Sequence, residues 1–137
     1  MAAFNRFEIF SEELAKGSHQ FHAAGHTFKA YLSNTAPDVT TDAVVGDLAE
    51  IAAGFGYAAG GEDTQQDISR AGLVTSVTGT DIVWTAVGGS IGPFQYAVLY
   101  NTTGSKLVGY WNYGSAVTLA AGETFTLDFG ASQLTIG

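Results

Sequence analysis

Three histidines, His19, His22 and His26, stand at i, i+3 and i+7. On a helix that spacing makes one stripe, and three neutral imidazoles on a stripe bind a divalent metal. The flanking residues argue against it. Gly17 and Gly25 interrupt a helix, and strand alternation beginning near residue 26 turns His19 away from His22 and His26. There is no HExxH spacing and no Cys, so no metal centre is predicted. Glu62, Asp63 and Asp67 could form an acid–base pair or hold Ca²⁺, but they lie in a Gly-rich stretch that reads as solvated, without an apolar pocket to tune a carboxyl group. Neither a GxSxG elbow nor a GxxxxGK[ST] phosphate loop occurs. The sequence therefore predicts no catalytic residue, no cofactor and no enzyme. Rings are the remaining chemical resource. Tyr110-Trp111-Asn112-Tyr113 puts aromatics on both faces of one strand, suited to sugar stacking with Asn101 and Asn112 or, as favoured here, to core and subunit packing. Asn101-Thr102-Thr103 also spells an N-glycosylation sequon.

The charges narrow the partners. The chain has 137 residues, 13 acidic and 5 basic, for a net charge of −8. Too few cations remain to neutralise phosphates or to dock on an anionic bilayer, so neither nucleic acid nor membrane is expected as a partner. An N-terminus reading MAAFNRFEIFSEEL carries acids where a signal peptide needs an apolar block, which predicts synthesis in the cytoplasm. Charge is also uneven. Residues 71–137 hold only Asp81, Lys106, Glu123 and Asp128. A domain of this size cannot bury all the neutral and apolar residues of that half, and such exposed surface marks contacts with other chains.

The elements that position these residues follow from local patterns. Residues 5–16 read as a helix capped by Asn5, with Phe7, Phe10 and Leu14 on one stripe and Phe4 folding back as a staple. HTFKAYLS at 26–33 alternates as a half-buried strand. Asp42 caps a second helix over Val44, Leu48, Ile51 and Ala52, ended by Gly54, and 54–67 reads as a mobile loop around Tyr57. Strands are expected at 72–78, 81–87, 95–100, 106–113, 116–119, 124–129 and 133–136, separated by Gly-bearing turns. The expected fold is mainly β: an antiparallel β-sandwich or small barrel, with two short helices in the N-terminal half. It is one domain over 1–137, with 1–17 as an N-terminal helix or docking arm and 26–137 as the β-rich body. The candidate protein-contact residues are Phe4, Phe7, Phe10, Leu14, Tyr110, Trp111 and Tyr113.

Gly88-Gly89-Ser90-Ile91-Gly92-Pro93-Phe94, followed by Tyr96 to Asn101, resembles a group of small tailed-bacteriophage virion proteins. The runs Lys29 to Pro37, Asp47 to Ala52 and Gly122 to Thr126 extend that resemblance along most of the chain. These proteins resemble head decoration (cement) proteins. The resemblance implies a β-rich homo-oligomer, expected to be a trimer, clamped over joints between major capsid protein subunits in the virion head, and made in the cytoplasm of a host bacterium. It brings no catalytic residue with it. Tail or baseplate components and carbohydrate- or receptor-binding modules are the alternatives.

Overall fold

A computed structural model describes residues 2–137. The chain runs β1 (Phe4–Arg6), α1 (Ile9–Ala15), β2 (Phe28–Ser33), β3 (Glu62–Asp63), β4 (Asp67–Ala71), β5 (Val74–Thr78), β6 (Ile82–Thr85), β7 (Ile91–Asn101), β8 (Lys106–Leu119), β9 (Thr124–Leu127) and β10 (Leu134–Ile136). Two 3₁₀ turns, Val45–Asp47 and Thr103–Ser105, complete it. The protein is mainly β. Its strands form an antiparallel five-stranded sheet in the order β1-β8-β7-β2-β3, a three-stranded sheet β10-β5-β4 and a two-stranded ribbon β6-β9.

The five-stranded sheet is buried on both faces, which is why β7 carries apolar side chains without alternation. Phe28, Ala30, Leu32, Ala97, Leu99 and Trp111 face a main core completed by Val77 of β5, Ile82 and Trp84 of β6, Leu127 of β9, Phe129 and Leu134 of β10. On the other face Tyr31, Tyr96, Val98, Tyr100 and Leu107 pack with Phe7 and Leu48. β2 is therefore buried on both sides and not half-buried as its alternation suggests.

The two expected helices resolve differently. Residues 4–6 are a strand paired to the edge of β8, with Phe4 opposite Trp111 and the two ring centroids 4.7 Å apart. Asn5 is thus no N-cap, and the helix shrinks to Ile9–Ala15. Ladder bonds and the ring contact outweigh a cap whose worth is about 1 kcal/mol. Gly109 makes the approach possible, because a Cβ there would lie 2.3 Å from the Phe4 ring. Over 42–54 only the turn Val45–Asp47 forms. Asp47 accepts the N–H groups of Ala43 (2.8 Å) and Val44 (3.1 Å). With Gly46 in its middle, the segment leaves the turn extended and runs beside β2, where Ile51 N–H donates to Leu32 O (3.0 Å). Strands expected separately at 106–113 and 116–119 are one, β8.

Candidate interaction surface

The seven contact residues named from the sequence do not form one outer surface. Phe7, Phe10 and Trp111 are each about 1% exposed. Phe4, Leu14 and Tyr113 are half-buried against the main core, while Tyr110 is half-buried on the opposite face between Phe7 (5.6 Å) and Tyr96 (6.0 Å). Burial pushes the Tyr113 hydroxyl up to about 12. This burial has a plain cause. Large rings stabilise most when their whole area leaves water, and the chain's own sheets provide that cover. The same burial removes Trp111 from any sugar-stacking platform.

The histidines also serve the fold. His19 is buried, His26 half-buried and His22 exposed. The side-chain amide of Asn101 lies 3.1 Å from His19 Nδ1 and 2.9 Å from His26 Nδ1, and donates to Ser18 O (3.0 Å). Its carbonyl oxygen accepts Thr103 N–H (2.9 Å), which fixes the amide nitrogen toward the rings. The amide has two hydrogens for these three acceptors, so the two ring nitrogens and Ser18 O share them. Burial is the main reason His19 is lowered to about 4. Above it, Lys106 Nζ (2.7 Å) and Ser18 Oγ (2.6 Å) donate to Glu13, and these bonds, Lys106 first, hold that carboxyl at about 2. Asn101 is fully buried, so its sequon offers no acceptor for a glycan. Glu62 and Asp63 lie on β3 and Asp67 opens β4, all exposed. Among the described residues no three His, Cys, Asp or Glu converge to hold a metal, and no helix is long and apolar enough to cross a membrane.

A different feature gathers three segments that lie far apart in the chain. Asn34 and Thr35, then Ala49 to Ala52, then Gly92 and Pro93 line one open groove of about 380 Å³. Each set comes from a separate motif. Glu50 is fixed in its wall: its Oε2 accepts the Tyr57 hydroxyl (2.6 Å) and Gly60 N–H (2.7 Å). The Tyr57 hydroxyl oxygen in turn accepts Leu32 N–H (3.0 Å), and the Tyr100 hydroxyl donates to Gly60 O (2.7 Å). Burial, then the bond to Glu50, raises the Tyr57 hydroxyl well above its ordinary range, so it remains a donor. The stretch expected as a mobile loop around Tyr57 is thus tied to β2, with Tyr57 only 3% exposed. Tyr57→Phe should cost about 1–2 kcal/mol in a urea titration, because it strands the Leu32 N–H and loosens Glu50. An unchanged midpoint would mean the network carries no weight.

The neighbouring loops present apolar side chains outward. Phe55 is 55% exposed and Val87 66%. Phe55 adopts a left-handed backbone (φ 56°), Val87 N–H donates to its carbonyl (2.9 Å), and its ring lies against Gly89, where a Cβ would come within 2.5 Å of it. The second exposed apolar feature is the β4–β5 hairpin. Every residue of β4 is exposed, and its outer edge has no partner strand in its sheet. Ile68 and Val74 are about 40% exposed, and Leu73, in the turn, is 95% exposed. Neither feature was found from sequence. The sequence pattern reads the hairpin as a single strand at 72–78, although Gly72 (φ 62°), placed between Ile68 and the β-branched run that starts at Val74, is the available turn signal.

No protein-family model, curated protein or solved structure matches the chain.

Proposed function

We propose that the chain is a structural protein of a tailed-phage head, a decoration protein that stabilises the shell by bridging major capsid protein subunits. The carrying observation is the half from residue 71 onward, with four charged side chains in total, joined to outward-facing apolar residues on the β4–β5 hairpin and on the Phe55–Val87 loops. Buried salt bridges and charges are costly to desolvate, whereas neutral β surface can be covered by a neighbour at little cost. The open groove lined by Asn34, Thr35, Ala49 to Ala52, Gly92 and Pro93 adds a concave surface that a neighbouring subunit could fill. We read the two-sided burial of the central sheet as a sandwich, a rigid block suited to spanning a joint. Many copies on one shell would make weak individual contacts additive through effective concentration. In this reading the protein is made in the host cytoplasm and resides in the virion head.

The test is to mix the purified chain with undecorated shells of the encoding phage, sediment them, and image the pellet by cryo-electron microscopy. Regular density over capsomer joints, at hundreds of copies per particle, is the expected result. Shells that pellet without the chain, or density confined to a few copies at the tail, would overturn it.

A further inference from the structure

We infer that the Glu50 groove is a receptor for one lysine side chain presented by a partner protein. The inference rests on the docking reading for the identity of that partner, and on the groove alone for the chemistry. Glu50 supplies the charge. Its Oε2 already accepts the Tyr57 hydroxyl (2.6 Å) and Gly60 N–H (2.7 Å), which together use both lone pairs of that oxygen. Those bonds hold the carboxylate still, and Gly60 is itself anchored by the Tyr100 hydroxyl. Oε1 has no hydrogen-bond partner among the described residues. An incoming cation therefore meets one free oxygen on a group that is already ordered. The arginine fork pairs best with both oxygens of a carboxylate, whereas an ammonium is a point charge that one oxygen satisfies. The single free oxygen selects lysine.

The remaining wall suits the remaining side chain. Asn34 and Thr35 are exposed, and neither side chain makes a hydrogen bond within the described residues, so their oxygens can take the other two ammonium donors. Ile51, Ala52 and Pro93 line the groove with apolar surface along which a four-carbon stem can lie. The chain does not fill the site itself. None of its five bases lines the groove, and Lys29, opposite Asp63 in the β2–β3 register, lies outside it. Residues 30–69, which supply most of the lining, carry seven carboxylates and no base, so the local field draws a cation in.

The probe is Nα-acetyl-lysine N-methylamide, titrated into the ¹⁵N-labelled chain at about 0.15 M salt and followed by amide chemical shifts. The matching arginine and norleucine compounds run beside it. The lysine probe should shift Thr35, Ile51 and Ala52 first and saturate in the millimolar range, since a single exposed ion pair contributes little alone. The arginine probe should bind severalfold more weakly, and norleucine, the same stem without the charge, should not saturate. Glu50→Gln should weaken lysine binding about tenfold or more. Ala52→Lys, at an exposed position, sets a cation of the chain's own in the groove and should weaken it likewise, which serves if Glu50→Gln does not fold. The inference is overturned if the lysine probe binds parent and variants alike, if its shifts fall outside the groove, or if arginine binds as well as lysine. Shell binding separates the two claims. Shells that carry the parent while the probe fails to bind refute the lysine site and leave docking standing; a probe that saturates while shells stay bare supports the site and refutes the capsid reading.

Discussion

Removing residues 1–16 is expected to abolish cooperative folding, not to release a dispensable arm. Phe7 and Phe10 are each about 1% exposed and sit in the two different cores, so the deletion opens both faces of the central sheet. A buried Phe reduced to Ala typically costs about 3–5 kcal/mol. Losing two, together with the β1 ladder on β8, approaches or exceeds the whole stability of an ordinary domain, about 5–15 kcal/mol. The loss of Glu13 also strips the Lys106 ammonium and Ser18 hydroxyl of their acceptor. The measurement is a thermal or urea melt of the truncated chain beside Phe10→Ala. The truncated chain should lack a sigmoidal transition, and the point variant should lose about 3–5 kcal/mol. A truncated chain melting cooperatively within a few degrees of the parent would show the segment to be an appendage.

Acid should destabilise the protein in two successive windows. His19 titrates near 4 in the folded chain, against 6.5 for an unperturbed imidazole, chiefly because it is buried. Between those values the unfolded chain binds the proton and the folded chain does not. Stability is therefore complete above about pH 6.5 and falls as pH drops toward 4, by roughly 3 kcal/mol in total. The geometry gives the reason: a proton on Nδ1 would face the Asn101 amide N–H, whose orientation Thr103 fixes. Glu13 then takes over. Its contribution is present above its ordinary 4.5 and is lost as pH falls toward the folded value of about 2. The melting temperature should drop by about 10 °C between pH 7 and pH 4. His19→Gln should flatten that limb while leaving the lower one. A parent with equal melting temperatures at pH 7 and pH 4.5 would contradict the assignment.

What could be read in the sequence was the local pattern of strands whose neighbours lie close in the chain. The Thr124/Thr126/Asp128 face of β9 and its extension is exposed, as its alternation dictates, and the continuous apolar run at 96–100 marks the strand buried on both sides. What could not be read depends on partners far away. Residues 5–16 have real helical spacing, but Phe4 pairs with Trp111, more than a hundred positions on. Val44 to Ala52 likewise has helical periodicity and yet lies extended along β2, because Leu48 has a core to enter there. The candidate surface was invisible for the same reason. Its groove takes two to four residues from each of three segments, and none of the three carries a signal on its own.

The flanks of the largest sheet have a further consequence. β1 offers three residues and β3 two, so the sheet ends on each side in a stub. A strand that short gives an incoming chain almost no ladder to extend, and amyloid-like growth by edge-to-edge templating is suppressed where the apolar content is highest. A chain that is 46% hydrophobic can then accumulate at high concentration with β7, paired on one side to β2 and on the other to β8, shielded from other copies.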